Sequence, residues 1–200
     1  MPHTLDDKPL GSAAGTLGEL LAAARARLGN DRLVVEVRAD GRPLGADEIE
    51  DRMPRPLTEG ESLELVSADA RTLATSTLDA ALDRLGALGA QQADAADRLQ
   101  GDEPGAAFSL LGDALAGWLE VSGAVTRCCE LTGVELGSLE AGGGTGAGAA
   151  AELADRLREV RTQIQARDTI ALADSLAYVW PEVVTRWEAL VTDLQRRLEG

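Results

Sequence analysis

The 200-residue chain has few aromatic residues, and none of them lies in its first 70 positions. In that part of the chain the apolar residues alternate with a period of two in two stretches, as in half-buried strands. After about residue 71 they recur at spacings of three and four, which is typical of amphipathic helices. The sequence therefore predicts an α+β protein with a small mixed domain followed by a helical one. The five aromatic residues are Phe108, Trp118, Tyr178, Trp180 and Trp187.

Long apolar runs are also missing. No run approaches the roughly 20 residues that a membrane-spanning helix needs. The first residues, MPHTLDDKPLG, are acidic and contain no apolar core of a secretory signal. We therefore expect a cytoplasmic protein without a membrane partner.

Basic residues are scarce, and Lys8 is the only lysine. The formal net charge is −15, and both halves of the chain contribute to it. Nucleic-acid binding needs clustered Lys and Arg that release counterions from phosphates. The sequence therefore argues against a nucleic-acid partner, and another protein is the partner that we expect.

The residues that most often carry catalysis or bind metals are few. His3 is the only histidine, and Cys128 and Cys129 are the only cysteines. Neighbours on a helix point about 100° apart, which does not suit a structural disulfide, and two thiols without a nearby His or further Cys make a poor zinc site. The run GGGTGAG resembles a phosphate loop but lacks the Lys that such a loop needs. No catalytic, cofactor-binding or metal-binding residue is predicted, and no enzyme activity or cofactor is expected.

The first domain is predicted to contain one long helix and several strands. Thr16 and Glu19 have the spacing of a capping box that opens a helix. Asp40-Gly41 is a strong hairpin signal between two alternating stretches, and a further tight hairpin is compatible with Asp6-Asp7-Lys8. Glu61–Ser67 is predicted to form the last strand of the domain.

The segment VVEVRADGRPLGADEIEDRMPRPLTEGESLELV resembles the ubiquitin-like β-grasp family, and the resemblance covers residues 1–68. In that family a strand, a Gly turn, a short strand and a helical turn lead to the final strand. Members that are conjugated or that carry sulfur end this strand in a flexible Gly-Gly tail, whereas Ser67-Ala68-Asp69 runs into more chain here. The resemblance therefore implies the other common use of the family, a docking surface.

Residues 71–200 are predicted to form a four-helix bundle of two αα-hairpins. The Gly-rich segment 137–148 is expected to be a flexible linker between the hairpins, and no strand is expected after residue 72. The third helix should end near Arg167, with Asp168 or Thr169 as the next N-cap. Pro181 is expected to kink a continuous fourth helix, and the alternative is that it starts a new helix.

Two candidate partner-binding surfaces follow from these patterns. If the helix covers the sheet face of Val35, Val37, Leu63 and Leu65, the opposite face shows Val34, Glu36, Arg38, Glu64 and Val66. Of that face, Val34, Arg38, Glu64 and Val66 are predicted to contact a partner, with Arg38 and Glu64 paired across two strands. The second surface is an aromatic groove at Trp180 and Trp187, for which the alternative is burial in the bundle core.

The function that the sequence favours is therefore a non-catalytic protein-interaction module, either an adaptor or chaperone-like. The alternative is an enzyme or a domain that binds a small ligand in a cleft between the two domains. The sequence makes no prediction of the oligomeric state.

Overall fold

The computed structural model describes residues 3–11, 14–29, 32–58, 60–101 and 103–199. The chain divides into two compact units, Met1–Leu73 (unit 1) and Ala74–Gly200 (unit 2). In the described residues, unit 1 holds a five-stranded mixed sheet, and unit 2 is helical apart from one short hairpin. The predicted α+β class is confirmed.

Unit 1 is a sheet with the strand order β2-β1-β5-β3-β4, in which β1 and β5 are parallel and the other neighbours are antiparallel. The buried side chains of its first helix share one apolar core with the sheet. The elements in chain order are β1 (Thr4–Leu5), β2 (Lys8–Pro9), α1 (Leu17–Leu28), β3 (Arg32–Ala39), β4 (Arg42–Pro43), α2 (Ala46–Arg52) and β5 (Leu63–Asp69).

The start of α1 is capped as the sequence predicts. The Thr16 side chain accepts a hydrogen bond from the backbone N–H of Glu19 at 3.2 Å. The Glu19 carboxylate reaches back and accepts from the N–H of Gly15 at 2.7 Å, one residue before the N-cap. The bond from Glu19 satisfies an N–H group that the first turn of a helix leaves unpaired.

Both predicted hairpin turns are present. Asp6 and Asp7 have φ of 49° and 62°, and Asp40 and Gly41 have φ of 49° and 80°. Two successive residues with positive φ form the turn whose twist matches that of the flanking strands, and Asp and Gly tolerate this conformation.

The pairing of β3 with β5 contains a one-residue bulge. Val34 lies opposite Ser67, and Glu36 lies opposite Val66, so that Val35 has no partner on β5. An extra residue shifts the alternation of side chains by one position. Val34 consequently packs against the core of unit 1, whereas Val35 is 47% exposed.

Ser67 is buried beside Asp6, and their bonds join β5 to the β1–β2 turn. The Asp6 carboxylate accepts from the Ser67 N–H at 2.8 Å and from the Ser67 hydroxyl at 2.6 Å. Arg32 donates from Nε to the same hydroxyl oxygen at 2.9 Å. The Ser67 hydroxyl and N–H, followed by the charge of Arg32, hold the pKa of Asp6 below its ordinary value.

Unit 2 is built from long helices that contribute to one apolar core. Helix α3 begins directly after β5, and the Asp69 carboxylate accepts from the N–H of Thr72 at 2.9 Å in its first turn. The elements are α3 (Ala70–Gln100), α4 (Pro104–Thr132), a 3₁₀ turn (Leu136–Ser138), β6 (Glu140–Ala141), β7 (Gly144–Thr145), α5 (Gly146–Ala166), α6 (Thr169–Asp174), a π-helical turn (Ser175–Val179) and α7 (Trp180–Glu199).

The three tryptophans form one cluster in the core of unit 2. The rings of Trp118 and Trp180 are 5.6 Å apart between centroids, and those of Trp118 and Trp187 are 5.8 Å apart. Each tryptophan is at most 2% exposed. The assignment of Trp180 and Trp187 to a partner-binding groove is therefore wrong, because these side chains are occupied in packing α7 against α4.

The Gly-rich segment 137–148 is not a structureless linker, and the expectation of a flexible one is wrong. It contains β6 and β7, which are the two short strands after residue 72 that the sequence did not predict. Leu139 and Ala141 are each only 1% exposed. Gly142 and Gly143 form the turn with φ of 57° and 91°, so that here glycine permits a tight turn rather than disorder.

Asp193 fixes this hairpin to α7. Its carboxylate is buried and accepts from the N–H of Glu140 at 3.1 Å. Arg196 and Arg197 donate to the same carboxylate at 2.9 and 3.1 Å. Charge-assisted bonds of this kind hold a short hairpin that could not fold alone.

The helical break near Arg167 and the helix around Pro181 were both expected. Arg167 has φ of 55°, and the Asp168 side chain caps α6 by accepting from the N–H of Ala171 at 3.0 Å. The helix continues through Pro181. A π-helical turn precedes α7, and the N–H of Trp180 donates to the carbonyl of Ser175 in this turn. The wider turn accommodates a proline, which has no N–H to donate.

The buried start of α5 gives a test of the ordered Gly-rich segment. In Gly146→Ala the new Cβ would collide with the carbonyl oxygen of Leu136 and lie 2.7 Å from Cδ1 of Leu190. We expect a loss of about 1–3 kcal/mol in the free energy of unfolding, which is typical of overpacking. Urea unfolding followed by tryptophan fluorescence reports on unit 2, because all three tryptophans lie there.

Gly137→Ala is the matched control, since a Cβ at Gly137 meets nothing within 4 Å. Its unfolding free energy should stay within about 0.5 kcal/mol of the parent. If both substitutions changed the free energy of unfolding by equally small amounts, the interpretation that the segment is tightly packed would be contradicted.

The Asp6–Ser67 contact predicts a pH-dependent stability of unit 1. A carboxyl group whose pKa is lowered by folding stabilises the fold above its unfolded pKa, about 3.9, and this contribution is lost as the pH falls through the folded pKa. Asp6→Asn should cost about 1 kcal/mol at pH 7, a value reduced for the 36% exposure of the Asp6 side chain. The cost should shrink below pH ~3.

Urea titrations followed by NMR signals of β3 and β5 measure this difference. Asp7→Asn is the control in the same turn, because asparagine also tolerates positive φ. If Asp6→Asn lowered the free energy of unfolding by the same amount at pH 7 and below pH ~3, the contact would not depend on an ionised Asp6.

Candidate functional site

One face of the sheet in unit 1 points away from the core that α1 covers. We call it the outer sheet face, and it combines apolar side chains with charged ones. The pairing of β3 with β5 and the bulge at Val35 determine which side chains lie on this face. Glu36 and Arg38 on β3 and Glu64 and Val66 on β5 define it, and we group with them the exposed Val35 at the bulge.

Val34 does not belong to this face, and its predicted position on it beside Arg38, Glu64 and Val66 is wrong. The extra residue Val35 turns Val34 toward the core, where it packs with the apolar side chains of unit 1. Val35, which the sequence placed under α1, is instead exposed at the bulge and has no partner on β5. Arg38, Glu64 and Val66 are on the predicted face, because they lie beyond the bulge.

The charged residues of the outer sheet face are paired along one strand. Arg38 donates to the two carboxylate oxygens of Glu36 at 2.8 and 3.2 Å. These hydrogen bonds lower the pKa of Glu36 and raise the pKa of Arg38. Glu64 lies directly opposite Arg38 on β5, as predicted. The expected Arg38–Glu64 pair is replaced by the Arg38–Glu36 pair, and Glu64 adds a weaker attraction to Arg38.

The apolar part of the face lies beside these charges. Val35 is among the most exposed large apolar side chains of unit 1, and Val66 is half-buried opposite Glu36. An apolar centre next to fixed charges has the composition of many modest protein interfaces.

Sequence reasoning missed the exposure of Val35 for one reason. In the run Leu33-Val34-Val35 every residue is apolar, so the pattern fits either phase of the alternation. Glu36 and Arg38 fix the phase after the bulge, but no residue type marks the insertion itself. The bulge had no signal in the sequence.

An open pocket in unit 2 is the strongest candidate for a small-ligand site. It has a volume of about 520 Å³ and lies between the β6–β7 hairpin, the start of α5 and Arg186. Its charges are already paired, since Arg186 donates to Glu152 at 2.6 Å and Arg156 donates to Glu159 at 2.9 Å. The Thr145 hydroxyl accepts a hydrogen bond from the N–H of Gly148, at the start of α5, at 3.1 Å.

The residues suited to metals or redox chemistry are not brought together. Within the described ranges, no group of three or more His, Cys, Asp or Glu side chains could hold a metal ion. Cys128 and Cys129 are free and buried, and burial raises the pKa of both thiols. Raised pKa values disfavour the reactive thiolate, so these cysteines act as small core residues.

No protein-family model, curated protein or solved structure matches this chain. None of the helices in the described ranges has the length and hydropathy needed to cross a bilayer.

Two adjacent valines test the bulge directly. Val34→Asp should cost roughly 2 kcal/mol in the free energy of unfolding of unit 1, because it places a carboxylate in the apolar core. Val35→Asp should change it by about 0.5 kcal/mol or less, since Val35 is largely exposed. Hydrogen exchange of the β5 amides measures both, and a larger cost at Val35 would show that the register is wrong.

Proposed function

We propose that the chain is a non-catalytic protein-interaction module that docks a partner protein on the outer sheet face. We further propose that unit 1 is a ubiquitin-like β-grasp domain and that unit 2 is a four-helix bundle of two αα-hairpins. The docking role of unit 1 is the common use of that family which remains when no Gly-Gly tail follows the last strand.

The topology of unit 1 supports the β-grasp assignment. In a β-grasp sheet the strands that hold Arg38 and Glu64 are antiparallel neighbours, and these two residues lie opposite each other here. The short β4 and the short helix α2 follow in the order that the resemblance implies. The core that α1 shares with the sheet leaves the opposite face for binding.

The shared core of unit 2 supports the bundle assignment. Helices α3 and α4 follow each other across a short turn, and α5 is separated from α6 only by Arg167 and Asp168. Short connections of this kind join antiparallel neighbours. Trp118 and Trp187 lie in different hairpins and contact each other in the core.

The observation that carries the docking proposal is the exposure of Val35. A strand residue at a bulge is aimed differently from its neighbours, and bulges are frequent beside functional sites. Here the bulge leaves the apolar side chain of Val35 exposed, at the cost of regular pairing. The ion pair between Glu36 and Arg38 lies beside Val35 on the same strand. The small-ligand alternative has weaker support, because the charged residues that line the pocket in unit 2 already have ion-pair partners.

Site-specific photo-crosslinking in the source cells tests the proposal. A photoreactive amino acid at Val35 and another at Val66 should crosslink to the same protein, because both residues are on the outer sheet face. The same amino acid at Asp47, which is exposed on α2 in the same unit, is the matched control. Mass spectrometry identifies the crosslinked protein.

A second variant separates docking from folding. Val35→Asp should abolish the crosslink from position 66 while leaving the hydrogen-exchange protection of β5 unchanged. Crosslinks of equal yield and identity from Asp47, or a crosslink that survives Val35→Asp, would contradict docking on this face.

A further inference from the structure

Strand β3 has one edge that is largely unpaired. On one side it pairs with β5 along its length. On the other side, within the described residues, β4 pairs only with Arg38 and Ala39, and the N–H of Leu44 extends this contact to the carbonyl of Val37. The stretch 32–36 therefore has a strand neighbour on one side only.

Unpaired backbone groups of this kind favour strand addition. Successive residues of a strand direct their N–H and C=O groups to opposite sides. About half of these groups in the stretch 32–36 consequently point away from β5, toward the open edge. An extended peptide satisfies such groups with its own backbone, and the flanking side-chain pockets determine which peptide binds.

A groove lies along this open edge, between the second half of α1 and the first half of β3. Its volume is about 190 Å³. Its apolar lining comes from both elements, so side chains of an added strand could enter it. The groove is lined by Leu21, Arg25, Leu28, Arg32, Leu33 and Val34.

The charge of the groove is opposite to that of the chain. Arg25 and Arg32 line it, and none of the described residues that line it is acidic, whereas the whole chain has a formal charge of −15. Arg25 is exposed and makes no ion pair with the described residues, whereas Arg32 forms an ion pair with Asp6 at 3.6 Å. A basic groove on an acidic protein selects an anionic partner.

We propose that unit 1 binds an extended peptide segment of a partner protein as an added strand on the open edge of β3. The segment carries alternating apolar side chains, which enter the groove, and at least one carboxylate, which pairs with Arg25. This inference rests on the proposed interaction function, but it places a second binding site beside the outer sheet face and specifies the chemistry of its occupant.

A second copy of the chain fits this edge poorly. The β3 strand of another copy would bring Arg32 and Arg38 with only one acid, Glu36, to a groove that is itself basic. The like charges would oppose the pairing, whereas an acidic peptide is attracted. The occupant is therefore a segment of a different protein.

Fluorescence anisotropy with the full chain and labelled peptides tests the proposal. The probe is a capped peptide of about eight residues in which valine alternates with glutamate, a length that spans the open edge. One matched peptide has lysine in place of glutamate, and another is N-methylated on the backbone groups of one edge. We expect saturable binding of the acidic peptide, and neither matched peptide should bind.

Charge reversal at the groove is the second part of the peptide-binding experiment. Arg25→Glu should weaken binding of the acidic peptide by about tenfold or more. Arg27→Glu, which changes the net charge equally on the same helix but lies outside the groove, should leave it nearly unchanged. Bound peptide should also slow hydrogen exchange of the amides at 32–37.

Several outcomes would overturn the inference. They are equal binding of the N-methylated peptide, equal losses in the Arg25→Glu and Arg27→Glu variants, and sedimentation that shows a dimer in which the same amides are protected. Absence of peptide binding also refutes the added strand. The proposed docking function would still stand if the Val35 and Val66 crosslinks persist, because they report on the outer sheet face and not on the edge.

Discussion

The pairing of β3 with β5 is the interaction on which the surfaces of unit 1 depend. These two strands form the centre to which β1 and β4 attach, one on each side. The single unpaired residue, Val35, decides which side chains are buried and which reach the outer sheet face. Because side chains alternate with a period of two, one inserted residue exchanges the roles of Val34 and Val35. The composition of the docking face is therefore set by a local backbone irregularity rather than by residue type.

The tryptophan cluster has the corresponding role in unit 2. Trp118 belongs to α4, and Trp180 and Trp187 belong to α7, so the cluster joins two hairpins that are distant in sequence. Tilted and edge-on ring pairs contribute about 0.5–1.5 kcal/mol each beyond the burial of their area. The ring nitrogens of all three find no hydrogen-bond acceptor among the described residues. The edge-on contact of Trp118 with Trp187 is an arrangement in which an N–H group can contact a π face instead.

Much of this architecture could be predicted from periodicity and turn chemistry. The capped start of α1, the turns at Asp6-Asp7 and Asp40-Gly41, and the Asp168 cap have local causes that residue types reveal. The Gly-rich hairpin could not be predicted, because its order comes from distant partners such as Asp193. Glycine composition alone does not distinguish a mobile segment from one that needs tight turns and close approaches. For the candidate site, Arg38, Glu64 and Val66 were predicted, and the bulge removed Val34.

The same bulge also bears on the open edge of β3. An exposed, flat, apolar edge strand invites pairing with any other chain, and proteins limit this hazard with bulges, charges and short edges. Here the bulge interrupts the regular edge at Val35, and Arg25 and Arg32 place positive charge beside it. These devices oppose self-association, because a second copy of β3 is itself basic. They do not oppose a short acidic strand, since its carboxylates neutralise the arginines. The features that protect the edge from unspecific pairing are therefore compatible with the selectivity for an acidic peptide that we propose.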